Sequence, residues 1–149
     1  TNMESACDIR GILEDCILSF YNVFTSKGIT PVIDLPEKSV IAKIDSKDAN
    51  RVFENIISNG LKYASKCFEI SLDENGKAIF KNDANDLNNV EVGRLFDKYY
   101  TVKNTSASTG LGLAIAKELV AVNGGRIDAH LSEDNIFSIE VSLEVLKNT

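Results

Sequence analysis

No apolar run in this sequence approaches the roughly 20 residues that a bilayer-crossing helix needs, and the stretch from Thr1 to Arg10 lacks the charged-then-apolar order of a secretory signal. The chain as given is expected to be soluble. Basic residues are also in deficit, 16 Lys and Arg against 22 Asp and Glu, for a formal net charge of -6 and a pI near 4.8. A general nucleic-acid or anionic-membrane surface is excluded on that count, because counterion release needs clustered cations; a local basic pocket for a phosphate is not. The three cysteines, Cys7, Cys16 and Cys67, are odd in number and scattered, with no C-x-x-C spacing. They give neither a disulfide framework nor a zinc site and read as reduced thiols of a cytosolic protein. There is one histidine, His130. It alternates with apolar neighbours on a strand pattern and reads as an exposed strand residue.

What is present suits one domain: 149 residues, 44% hydrophobic and 26% charged. Ile9, Ile12, Leu13, Cys16, Ile17, Phe20, Val23 and Phe24 recur at helical spacing, with Ser5 and Asp8 placed as caps and Gly28 as the stop. Two β-type runs, Thr30 to Leu35 and Val40 to Ile44, flank a turn at Pro36-Glu37-Lys38 and are expected to pair. Asp45 caps a second helix to about Ala64, whose apolar face is Ala49, Val52, Phe53, Ile56, Ile57 and Gly60. Phe68 to Leu72 and Ala78 to Lys81 form a hairpin around Asn75-Gly76. A polar stretch from Asn82 to Thr109, broken by an amphipathic piece from Val90 to Tyr100, has the character of a loop or lid. A third helix follows with Leu111, Ala114, Ile115, Leu119 and Val122, closed by Gly124-Gly125. A last hairpin joins Ile127-Ala129-Leu131 to Phe137-Ile139-Val141-Leu143. Helices between strand pairs do not make a doubly wound parallel sheet. The expected class is α+β, a two-layer α/β sandwich with helices on one face of a mixed, mostly antiparallel sheet.

Two places can carry chemistry. Asn55, Asn59 and Lys62 share one stripe of the second helix. Amide oxygens there suit Mg²⁺ and the lysine can reach phosphates; an ordinary solvated helix flank has the same spacing. Thr109-Gly110-Leu111-Gly112-Leu113 opens the third helix with bare backbone N–H groups and its dipole, either an anion site or a packing hinge. Glu54 points about a hundred degrees away from Asn55, so a glutamate base for water activation is not supported there.

Taken together, Asn55-Ile56-Ile57-Ser58-Asn59-Gly60-Leu61-Lys62-Tyr63-Ala64 resembles the N box of the GHKL ATPases in their sensor histidine kinase branch. Leu95-Phe96-Asp97-Lys98-Tyr99-Tyr100 resembles the F box, and Thr109 to Lys117 the G2 box, in the family's order. The resemblance implies the Bergerat ATP-binding fold, and ATP with Mg²⁺ as cofactors. It implies Asn59 as the Mg²⁺ ligand, Asn55 and Lys62 near the phosphates, and Tyr63 beside the nucleotide. Phe96 and Tyr99 would anchor a lid over Asn104 to Ser108, Lys98 would reach a phosphate, and Thr109, Gly110, Leu111, Gly112 and Leu113 would cradle the triphosphate. The family's Asp-x-Gly-x-Gly is absent: Asn82-Asp83-Ala84-Asn85-Asp86-Leu87 holds no glycine. Asn82 falls on the adenine-reading place, with Asp83 as the alternative and a plain strand-ending turn as a third reading. The implied activity is transfer of the ATP γ-phosphate to a histidine outside this chain, on a dimerisation domain of a homodimeric parent, with a response regulator downstream. The parent would be a membrane-anchored sensor with this domain in the cytoplasm. Two other functions are carried: a degenerate, non-catalytic docking module, and a different GHKL enzyme such as an anti-sigma serine kinase.

Overall fold

In the computed structural model, which describes residues 5–98 and 111–146, a two-residue strand, β1 (Cys7–Asp8), runs directly into α1 (Ile9–Ser19). Asp8 fixes that junction, its carboxylate accepting from the Arg10 N–H and the Val40 N–H, both at 3.1 Å. The single helix expected to run to Gly28 is broken at Phe20 and resumes as α2 (Tyr21–Ser26). Ser19 Oγ donates to the Cys16 carbonyl at 2.6 Å. Such back-bonding competes with the helix ladder and bends it, although the apolar spacing continues unbroken. Gly28, at φ 70°, ends α2 where the stop was expected.

The two β-runs that follow do not pair with each other. β2 (Val32–Asp34) lies parallel to residues 68–72, with Ile33 opposite Ile70. β3 (Ile41–Ala42) pairs antiparallel with β1, and Ala42 also bridges Val145. Pro31 and Pro36 stand on either side of β2 and remove ladder donors there, so the strand is short and its outer edge is blunted.

α3 (Ser46–Tyr63) begins at Asp45, whose side chain accepts from the Lys47 N–H at 2.8 Å. It buries the face read from the sequence, including Val52, Phe53, Ile56, Ile57 and Gly60. β4 (Phe68–Leu72) and β5 (Lys77–Asp83) form the expected hairpin, with Gly76 at φ 86° and Asp73 Oδ1 receiving the N–H groups of Asn75 and Lys77. Among the described residues of the amphipathic piece from Val90, helix is confined to one turn, α4 (Asn89–Val92). α5 (Gly112–Val122), β6 (Arg126–Leu131) and β7 (Ile136–Ser142) complete the described chain.

The main sheet has the order β2-β4-β5-β7-β6, parallel only between β2 and β4. Phe137, Ile139 and Val141 on β7 are buried, while Ser138, Glu140 and Ser142 between them are half-exposed. That alternation is what a sheet covered by helices on one face produces. The mixed α+β class is therefore as expected.

The β6 end of the sheet depends on Gly125. A Cβ there would stand 2.5 Å from the Ser142 carbonyl oxygen and 3.1 Å from the Val120 side chain. Backbone cannot yield as a flexible side chain does, so Gly125→Ala is expected to cost about 2 kcal/mol, read as a lower melting temperature in thermal denaturation.

Candidate functional site

The stripe of α3 beside its buried face carries Asn55, Asn59 and Lys62, all half-buried. The amide nitrogens of Asn55 and Asn59 are buried without a hydrogen-bond partner, and no other buried side-chain nitrogen or oxygen among the described residues is so placed. Leaving a buried donor unmade costs about 1–3 kcal/mol, so two on one stripe, four residues apart, mark a place that lacks its acceptor. Asn55 faces the start of α5: a Cβ on Gly112 would sit 3.7 Å from Asn55 Oδ1. Leu111, at the N-cap of α5, supplies no side-chain cap to the N–H groups of its first turn. The Asn55 amide thus faces the positive end of a helix dipole, with the Asn59 amide one turn along the same stripe.

Lys62 lies one turn further along. Burial lowers its pKa from the ordinary lysine value, which an adjacent anion would counter by favouring the ammonium form. Its Nζ lies 5.8 Å from the centroid of Tyr63, itself buried edge-on against Phe137.

At the end of β5 the two adjacent polar residues have different roles. The Asp83 carboxylate receives the N–H groups of Ser65, Lys66 and Cys67 at 2.9–3.2 Å and the Ser65 hydroxyl at 2.6 Å. Burial alone would raise its pKa; the bonds from Cys67, Ser65 and Lys66 outweigh that and hold the carboxyl well below the usual range. Its oxygens are committed to the turn between α3 and β4. Asn82 is 2% exposed and donates Nδ2 to the Asp83 carbonyl at 2.9 Å, which leaves Oδ1 as its acceptor. It lies opposite Phe68 in the β4–β5 ladder and under Gly60 of α3.

The remaining candidates are dispersed. Leu113 is buried, Leu111 and Gly112 are half-buried, and Lys98 is exposed. Phe96 is half-buried with Lys117 Nζ 5.7 Å from its ring centroid, a contact that the sequence pattern did not single out. Tyr99, Thr109, Gly110 and the 104–108 stretch lie outside the described residues. Glu54 is exposed and accepts from the Asn50 amide at 2.7 Å. His130 is exposed on β6, opposite Ser138. Missed from sequence was the binding of the 65–67 turn by Asp83. The polar triplet after the α3 stop is its only local sign.

Residues 44–145 match the family described as histidine kinase-, DNA gyrase B-, and HSP90-like ATPase. The sensor protein VanSC of Enterococcus gallinarum is 30% identical over 145 residues, covering 87% of this chain and 38% of that protein. The sensor histidine kinase WalK of Bacillus subtilis (strain 168) is 30% identical over 138 residues, covering 85% of this chain and 23% of that protein. The chain therefore spans well under half of these relatives. Among solved structures, the mycobacterial sensor histidine kinase MprB superposes with a TM-score of 0.78 at 17% identity, over 97% of this chain and 99% of that one. The nucleotide-free catalytic domain of histidine kinase ThkA gives 0.75 at 17%, over 93% and 94%. At those identities the structural likeness speaks for the fold.

Proposed function

The chain belongs to the histidine kinase-, DNA gyrase B-, and HSP90-like ATPase family, and on that footing we propose that it is the ATP-binding catalytic domain of a two-component sensor histidine kinase. The observation that carries this is the pair of buried, partnerless amide nitrogens of Asn55 and Asn59 on one stripe of α3, Asn55 facing the start of α5. Phosphate oxygens are the acceptors such donors lack, and the helix end adds the field that favours an anion.

In this reading Asn59 holds Mg²⁺ through its amide oxygen, and Asn55 and Lys62 bind phosphate oxygens. Among the described residues no group of three or more His, Cys, Asp or Glu could hold a metal ion. A neutral amide fits Mg²⁺ only as part of a shell completed by phosphates and water, so metal and nucleotide would bind together. When bound, the ion would supply positive charge that offsets the charge of the transferring phosphate. As the family resemblance implies, Gly110 and Gly112, within Thr109 to Leu113, would give the phosphates backbone room, Lys98 would reach a phosphate, and Phe96 and Tyr99 would anchor the base of the lid. Tyr63 and Asn82 hold the base, and Asp83 serves by fixing the turn behind Asn82. The acceptor is a histidine on the dimerisation domain of a homodimeric parent, attacking in line, with a response regulator downstream. The parent is a membrane-anchored sensor with this domain in the cytoplasm; no described helix is itself long and apolar enough to cross a membrane. Positioning and electrostatics would do the work, since no protein nucleophile is needed.

Calorimetric titration of this chain with a non-hydrolysable ATP analogue and Mg²⁺ tests the reading. Saturation below about 1 mM nucleotide, in the ordinary range for enzyme substrates, and weaker binding by Asn82→Ala are expected. No heat of binding up to that concentration would instead point to the non-catalytic docking module.

A further inference from the structure

We infer that Gly60 sets the base specificity of this site, by seating Asn82 so that its amide oxygen is presented as an acceptor to the 6-position of a purine. The inference rests on the nucleotide-binding reading and deepens it. Gly60 stands in the last turn of α3, where glycine is a poor helix former and demands a reason. A Cβ there would lie 2.8 Å from the Phe68 ring and 2.9 Å from Asn82 Oδ1. Contacts that short do not occur at real Cβ atoms, so any side chain at position 60 displaces the ring, the amide or both.

The orientation of that amide follows from its other end. Asn82 Nδ2 donates to the Asp83 carbonyl at 2.9 Å, and the Asp83 side chain is held by the 65–67 turn. The nitrogen is thus tied to backbone that cannot swing, and the oxygen is turned toward Gly60 under α3. An amide held this way accepts and does not donate. A 6-amino purine meets it with a donor. A 6-oxo purine sets acceptor against acceptor, leaving both desolvated and unpaired, which corresponds to about tenfold to a hundredfold weaker binding. Turning the amide over would break its bond to the Asp83 carbonyl and leave that carbonyl buried without its donor. Gly60 is therefore a positioning residue that acts through Asn82.

The test compares Mg²⁺-dependent binding of ATP and GTP by competition calorimetry, on the chain described here, for wild type, Gly60→Ala, Asn82→Ala and the double variant. The ratio of the two affinities is the readout, because general loosening weakens both nucleotides alike. Wild type is expected to favour ATP at least tenfold, and Gly60→Ala to bring the ratio near one. Gly60→Ala should change nothing further once Asn82 is alanine, the non-additivity expected of residues acting as a unit. Should Gly60→Ala fail to fold, pairing it with Phe68→Leu vacates the ring that the new methyl meets while Asn82 stays crowded. Equal affinity for ATP and GTP in wild type, or a ratio unmoved by the crowding variant, overturns the seat and leaves nucleotide binding standing. Failure of wild type to bind either nucleotide overturns the nucleotide-binding reading itself.

Discussion

Replacing Asn59 by alanine is expected to cut phosphotransfer by about a hundredfold or more while raising the melting temperature. The two effects have one origin. The Asn59 amide nitrogen is buried with no partner, so the folded protein without nucleotide carries a desolvated donor, and deleting it relieves a cost of about 1 kcal/mol. Alanine is also the better helix former inside α3, by a few tenths of a kcal/mol or more. A gain of about 1 kcal/mol moves the transition of a chain this size upward by roughly 2–4 °C. The same amide, in the proposed site, binds the metal and phosphates only when ATP is present, and losing one such contact at a transferring group is typically worth 10²–10³ in rate. Differential scanning calorimetry without nucleotide, together with phosphotransfer by the proposed parent kinase, measures both. A variant that loses stability and keeps activity would show that Asn59 is merely part of the packing.

Asp83→Asn is expected to show the reverse pattern: a loss of about 3 kcal/mol in stability, with base discrimination altered only through the loosened turn. The carboxylate accepts three backbone N–H groups and one hydroxyl. An amide would turn an NH₂ toward those donors and leave at least one of them unmet, at about 1–3 kcal/mol each. The pH dependence has a definite sign. Because the folded pKa is depressed, the contribution is fully present above the unfolded value near 4 and is lost as pH falls below it toward the folded one. Urea denaturation at neutral pH and at about pH 3 should show wild type approaching the variant in acid. A gap of the same size at both pH values would mean that the carboxylate charge contributes nothing to the turn.

The sequence was most informative where structure is local. Asp45, Gly28, Asn75-Gly76 and Gly124 mark caps and turns through side-chain oxygens and backbone freedom, and those elements begin and end where the pattern put them. Pairing across long separations was not legible. Nothing in Thr30 to Leu35 says that Ile33 will lie beside Ile70 with α3 passed in between, nor that Ile41 will face Asp8. The break at Phe20 was hidden because Ile17, Phe20 and Phe24 keep their helical spacing through it. For the site, the stripe of Asn55, Asn59 and Lys62 could be read from its period. That two of its amides would be buried without partners depends on what α5 brings against them, which no local pattern reports. Spacing put Asn82 before Asp83 for the adenine-reading place but left both open; in the fold they part company because one side chain turns under Gly60 and the other over the 65–67 turn.

The position of β5 has a consequence for synthesis. β4 reaches it at once through the turn at Gly76, but its other neighbour, β7, is the last strand of the described chain and is translated long afterwards. A growing polypeptide on the ribosome therefore carries β5 with a bare edge, and the apolar residues Ala78 and Phe80 lack their β7 partners Val141 and Ile139. Chains stalled or cut before β7 would leave β5 as an open, sticky edge, so they belong to chaperones and proteases and not to a population of weakened but folded domains.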